Sequence, residues 1–165
     1  VSLSCGHYFT VCVDENGDVF SFGKNNYGQL GLGNTTNQQT PQQVPGIPPI
    51  SSVHCGGDHT FCIDHQQTIW SFGKNSSGQL GLGHNRSPIL SPQQLSFQNV
   101  HKIACGYDFT IIQDQDGILF ACGSNSFGQL AIGNTTSQNQ LVQIPGLLDI
   151  SDFSCGYFHS VFLNQ

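Results

Sequence analysis

The sequence predicts an all-β fold, an arc of a β-propeller, and three observations carry that prediction. The chain repeats itself at a fixed period. Each repeat holds several short strand-like runs with no stretch long enough for a long helix between them. The runs carry apolar or small residues on both faces. CGHYFTVCVDENGDVFSFGKNNYGQLGLGN begins at Cys5, CGGDHTFCIDHQQTIWSFGKNSSGQLGLGH at Cys55 and CGYDFTIIQDQDGILFACGSNSFGQLAIGN at Cys105, and CGYFHSVFLNQ opens a further copy at Cys155. A period of this size marks repeated supersecondary units that bury their faces against one another. The 165 residues are expected to form one partial propeller, with repeats over about 1–49, 50–99 and 100–149 and a truncated one over 150–165.

Taken in order, each repeat is predicted to hold four antiparallel strands, which makes one blade. The first runs into Cys-Gly, as in Ile50 to Cys55 and Val100 to Cys105. The second and third are short, β-branched and aromatic, as in residues 60–64 (TFCID) and 69–72 (IWSF), and a polar turn separates them. That turn carries Asn16-Gly17 and Asp116-Gly117 in two copies, a hairpin signal because glycine tolerates positive φ. Gln66-Gln67 stands there in the other copy and predicts a different turn. A fourth, shorter strand is expected near Gln42–Val44, Gln93–Leu95 and Leu141–Ile144, beside prolines that suit an edge.

Alternation puts Phe20, Trp70 and Phe120 on one sheet face, with Phe22, Phe72 and Cys122 two residues on. Val19, Ile69 and Leu119, then Ser21, Ser71 and Ala121, take the other face. Both faces are thus expected to be covered by neighbouring blades, since a few hundred exposed Å² at about 25 cal/mol per Å² would cost several kcal/mol. Three blades and the start of a fourth are fewer than the four to eight that close a ring. The arc is therefore expected to be part of a larger ring. Val1 and the absence of methionine also predict a piece of a longer polypeptide.

Composition excludes several functions. Net charge is −6, with four Lys and Arg against ten Asp and Glu. Lys24, Lys74, Arg86 and Lys102 are too few and too scattered to neutralise a run of phosphates, so no direct nucleic-acid partner is expected. No apolar run approaches the roughly 18 residues of a membrane span, and no signal peptide is visible.

The stretch FGKNNYGQLGLG, residues 22–33, resembles a phosphate-binding loop only superficially. A Walker loop needs G-x-x-x-x-G-K-[ST] before a helix. Here the lysine follows the first glycine, the loop recurs in every repeat, and Ser124 replaces the lysine in the third. It reads as a tight strand connection, with no cofactor implied. The seven cysteines include no C-x-x-C pair, so no metal site is expected. They read as small buried hydrophobes. Free thiols point to a reducing compartment, cytoplasm or nucleus. His59 and His159 alternate with Phe9 and Phe109 at one repeat position, so they read as packed, hydrogen-bonded rings. Asp14, Asp64 and Asp114 recur at a strand end, where aspartate caps turns. Asn-x-Ser/Thr sequons at Asn34, Asn75, Asn85 and Asn134 arise easily in so Asn- and Ser-rich a chain. No residue is assigned a catalytic role, and the protein is not expected to be an enzyme.

The CGxxHT motif, the strand ending in WSFG and the loop GxNxxGQLGxG together resemble the regulator of chromosome condensation repeat family, over essentially the whole chain. The GQLGLG signature appears at Gly28–Gly33 and Gly78–Gly83, and degraded at Gly128–Gly133. The resemblance implies a seven-bladed β-propeller. It also implies either a protein-interaction module or, as in the founding member, a guanine nucleotide exchange factor for a nuclear small GTPase that docks on chromatin. The founding member's exchange wedge is an inserted hairpin. Every full repeat here is 50 residues with no insertion, so a wedge would lie outside these residues.

What varies between copies is the pair after Cys-Gly: His7-Tyr8, Gly57-Asp58, Tyr107-Asp108 and Tyr157-Phe158. Such turns line one face of a propeller, and tyrosine is enriched in interface cores. His7, Tyr8, Asp58, Tyr107, Asp108 and Tyr157 are therefore the expected partner-binding face. The function expected is a non-catalytic protein–protein interaction module, the alternative being nucleotide exchange on a small GTPase.

Overall fold

The computed structural model describes residues 1–164, and no described residue is helical. Three four-stranded antiparallel sheets follow one another, each in simple sequence order. The first holds β1 (Ser2–Cys5), β2 (Phe9–Val13), β3 (Val19–Gly23) and β4 (Gln38–Gln43). The second holds β5 (Ile50–Cys55), β6 (His59–Asp64), β7 (Ile69–Gly73) and β8 (Ile89–Leu95). The third holds β9 (Val100–Cys105), β10 (Phe109–Asp114), β11 (Leu119–Gly123) and β12 (Gln138–Gln143). A two-stranded sheet of β13 (Ile150–Cys155) and β14 (Ser160–Asn164) follows. The innermost strands of successive sheets lie side by side, β1 by β5, β5 by β9 and β9 by β13. The result is an open arc of propeller blades.

Both faces of the interior sheets are buried, as alternation requires. Val11, Val19, Val53, Cys62 and Phe72 fill the space between the first and second sheets. Phe61, Ile69, Leu80, Ile103 and Ile112 fill the next, and Phe109, Ile111, Leu119, Leu130 and Phe153 the third. Ser21, Ser71 and Ala121 have no exposed surface, and Phe20, Trp70 and Phe120 are each half-buried at equivalent positions. The β4, β8 and β12 strands begin earlier than alternation indicated. Their first residues pair with Gly23, Gly73 and Gly123 beyond a register shift, which breaks the alternation. Pro41 and Pro92 lie within these outer strands, where a missing N–H costs no ladder bond.

The second hairpin does not differ from the others. In all three blades the aspartate N–H donates to the carbonyl four residues on, and its own carbonyl accepts from the residue three on. Gln67 takes φ 64°, beside 85° for Gly17 and 81° for Gly117. The expectation of a different turn is therefore wrong, and the aspartate side chain explains why. Asp64 Oδ1 accepts from the N–H groups of Gln66 and Thr68 at 2.9 and 2.8 Å, as Asp14 and Asp114 do in their blades. These bonds hold the turn even over a side chain that disfavours left-handed backbone. Gln67→Gly is expected to raise stability by about 0.5–1 kcal/mol, read from the urea midpoint. A lowered midpoint would contradict this account of the turn.

The face of the Cys-Gly turns

The strand directions bring the Cys-Gly turns and the glycine-rich loops to the same end of each blade. In each loop an asparagine and a glutamine organise the backbone from inside. Asn25 Oδ1 accepts from Leu30 N–H, and its Nδ2 donates to the carbonyls of Asn34 and Thr36. Gln29 Oε1 accepts from Tyr27 N–H. Gly28 and Gly31 donate to Asn25 and Gly28 carbonyls, and Gly33 reaches across to Leu90 in the next blade. The amides a phosphate would need are thus bonded within the protein. Asn75, Gln79, Asn125 and Gln129 repeat the pattern, and the loop is architectural.

The loops also bind blade to blade. Lys24 Nζ donates to Asp58 Oδ1 at 3.0 Å, and Gln29 Nε2 donates to the same oxygen at 2.8 Å. At the second junction Lys74 and Gln79 hold the two oxygens of Asp108 at 2.9 and 2.8 Å. At the third, Ser124 stands for the lysine and Phe158 for the aspartate, so both partners change together. The Thr60, Thr110 and Ser160 hydroxyls donate to the carbonyls of Gln29, Gln79 and Gln129.

His59 is fully buried beneath these turns, its Nε2 3.0 Å from Thr110 Oγ1. That hydroxyl already donates to Gln79, so it accepts from His59 Nε2–H, and Nδ1 is left bare and without a partner. Burial, with Lys74 nearby, pushes the imidazole pKa down to about 3. The His159 ring packs on Gly156 as His59 does on Gly56, and its outer side is exposed at the edge of the last sheet. The Cys5, Cys55, Cys105 and Cys155 rungs line a shallow open groove along the inner edge of the arc. Burial raises the thiol pKa of Cys55 and Cys155 to about 12. These thiols stay protonated at neutral pH, and among the described residues no group of three His, Cys, Asp or Glu side chains could hold a metal.

The six residues expected on the partner face separate into two sets. Asp58 is 2 % exposed and is held in its inter-blade ion pair. Asp108 is likewise engaged, with its side chain 17 % exposed. His7, Tyr8, Tyr107 and Tyr157 instead converge at one end of that groove. The His7 ring lies 4.0 Å from Tyr8, 5.4 Å from Tyr107 and 6.2 Å from Tyr157, and Tyr107 stacks on Tyr157 at 4.0 Å. Gly57 makes this convergence possible, because a Cβ there would lie 2.4 Å from the Tyr107 ring. Sequence reasoning missed Tyr27 and Phe127, which extend the band from the glycine loops. Lys24 lies over Tyr8 and Tyr27, and Lys74 over Tyr27 and Tyr107, at 5.4–5.8 Å from the ring centres. The shared 34-residue spacing of Lys24–Asp58 and Lys74–Asp108, lost together in the third copy, was the signal available for the clamp.

Stacked four-stranded sheets, joined through one repeated loop with their inner strands side by side, define an arc of a β-propeller. The model of the regulator of chromosome condensation (RCC1) repeat matches residues 16–63, 67–113 and 116–163, and a second model of that repeat matches 1–29 and 100–129. The chain belongs to this family. The matched units run from the outer two strands of one sheet to the inner two of the next. Xenopus laevis regulator of chromosome condensation is 44 % identical over 54 residues, 32 % of this chain and 13 % of that protein. The human probable E3 ubiquitin-protein ligase HERC6 is 47 % identical over 45 residues, 27 % of this chain and 4 % of that protein. The crystal structure of Prp20p from Saccharomyces cerevisiae, described with its binding to Gsp1p and histones, superposes with a TM-score of 0.88 at 22 % identity. That match covers 99 % of this chain and 42 % of the yeast chain. Yeast RCC1 (Prp20) bound to Kap60 gives 0.87 at 21 % identity, covering 98 % and 41 %. The chain thus spans about two fifths of these two solved chains. No described helix is long and apolar enough to cross a membrane.

Proposed function

We propose that the chain is a non-catalytic protein-interaction module of a larger intracellular propeller, and that its Cys-Gly turn face receives a protein partner. The observation that carries this reading is the band of exposed rings there, from Tyr8 through His7 to Tyr157 and Phe158. Aromatic anchors of this kind dominate interface energetics. The polar groups around them bind blade to blade. Three of the four basic side chains are held in ion pairs, Lys24, Lys74 and Lys102, which disfavours a nucleic-acid partner. Asp58 and Asp108 are left out of the docking face, since both serve the blade junctions.

Tyr8→Ser/Tyr157→Ser in the full-length protein is expected to release the partners that co-purify with it, while Glu15→Ser/Asp116→Ser at the opposite end retains them. Retention of every partner by the first variant would refute the reading. Nucleotide exchange on a small GTPase is the second reading, favoured by the described binding of Prp20p to Gsp1p. The full-length protein would then accelerate release of labelled GDP by orders of magnitude, through a wedge outside these residues.

A further inference from the structure

We propose that Ser91 is a phosphorylation site for a proline-directed serine/threonine kinase. Ser91 and Pro92 lie in β8, the outer strand of the second sheet. The pairing of that strand breaks around them. Ile89 pairs with Gly73 and Gln93 with Ser71, so Leu90, Ser91 and Pro92 together lie opposite Phe72 alone. Surplus residues of this kind leave the ladder, and Pro92 has no N–H with which to rejoin it. Ser91 is exposed at the crest of this bulge, with a complete sheet in place on either side of its blade. The glycine loop of the first blade passes beside it without covering it. A Cβ built on Gly33 would lie 3.7 Å from Ser91 Oγ, an ordinary contact.

A kinase needs an extended segment with its hydroxyl accessible, and proline holds the residue before it to extended backbone. Proline also selects the class of kinase. A ring without an N–H suits an apolar pocket for the following residue and leaves unpaired a pocket that would accept a hydrogen bond. The same bulge carries Thr40-Pro41 in β4 and Gln140-Leu141 in β12, so the fold itself does not require the proline. Ser87 also precedes a proline, but its hydroxyl accepts from Asn75 N–H at 3.0 Å and thereby helps fix the glycine loop. In the reaction the γ-phosphoryl group of ATP passes to Ser91 Oγ. The new P–O bond forms as the bond to the β-phosphate oxygen breaks, ADP leaves, and the catalytic aspartate of the kinase takes the hydroxyl proton. The product brings close to two negative charges to the outer rim.

The test is incubation of the folded full-length protein with a purified mitogen-activated protein kinase and Mg-ATP, with phosphate located residue by residue by mass spectrometry. Ser91 is expected to be labelled about ten-fold faster than Ser87, or more. Ser91→Ala is expected to lose that label while keeping the urea midpoint, because the side chain is exposed. Pro92→Leu, which places in β8 the residue that β12 carries there, is expected to slow labelling of Ser91 by about ten-fold or more. No label at Ser91, or label that appears only after urea unfolds the chain, would overturn the proposal. Equal labelling of Pro92→Leu would overturn the assignment to a proline-directed kinase.

Discussion

Asp58→Ala is expected to lower the unfolding free energy by about 3 kcal/mol or more, the range for breaking a buried ion pair from one side. The carboxylate is 2 % exposed and accepts from both Lys24 and Gln29. Its loss leaves an amide and a mostly buried ammonium without their acceptor. The effect is expected to be graded by burial. Asp108→Ala, with its side chain 17 % exposed, is expected to lose less. Asp152→Ala, where the pair with Lys102 leaves the carboxylate 62 % exposed, is expected to leave the urea midpoint almost unchanged, because solvent screens such pairs. Lys24→Met/Asp58→Ala should recover part of the loss, since no lone charge then remains. Equal losses for all three aspartates would show that the clamp does not act through burial.

His59→Phe is expected to flatten the acid dependence of stability. The folded imidazole has its pKa pushed down to about 3 by burial and Lys74, against 6.5 when free. The unfolded chain therefore binds the proton first. The stability His59 contributes is complete above about pH 6.5 and falls as the pH drops toward 3, by about 1.4 kcal/mol per unit at most. His54, lowered to about 4 by burial and Lys102, adds a second proton over part of the same window. Phenylalanine fits the pocket, since Phe9 and Phe109 pack on Gly6 and Gly106 as His59 packs on Gly56. Thr110 keeps its bond to Gln79. Urea midpoints between pH 7 and 4 for both proteins test this. An undiminished slope in His59→Phe would place the acid sensitivity elsewhere.

The β5 and β9 strands were legible to the residue, because each opens on a buried apolar residue, Ile50 or Val100, and runs into the repeated Cys-Gly. The outer strands were legible only where they end near Val44 and Ile144, since Gln38 to Gln43 faces solvent and follows no alternation. The turn at Gln66-Gln67 was misread. Dipeptide preference is a local quantity, and the aspartate two residues earlier outweighs it with two backbone hydrogen bonds.

On the candidate face, residue type alone did not separate Tyr8, which meets solvent, from Asp58, which meets a lysine 34 residues upstream. Both follow Cys-Gly in equivalent turns. Asp58 is held by Lys24 and Gln29 of the preceding blade, and such contacts across a junction leave no mark on the local pattern.

By itself the sequence determined the period, the all-β class, the inner strands and the structural character of the glycine loop, because these follow from spacing, alternation and backbone preference within about ten residues. Only the tertiary structure decided which polar groups join the blades and which rings remain for a partner. That outcome depends on the stacking of one sheet on the next, which sets the burial, and hence the dielectric and the hydrogen-bond partners, of each side chain.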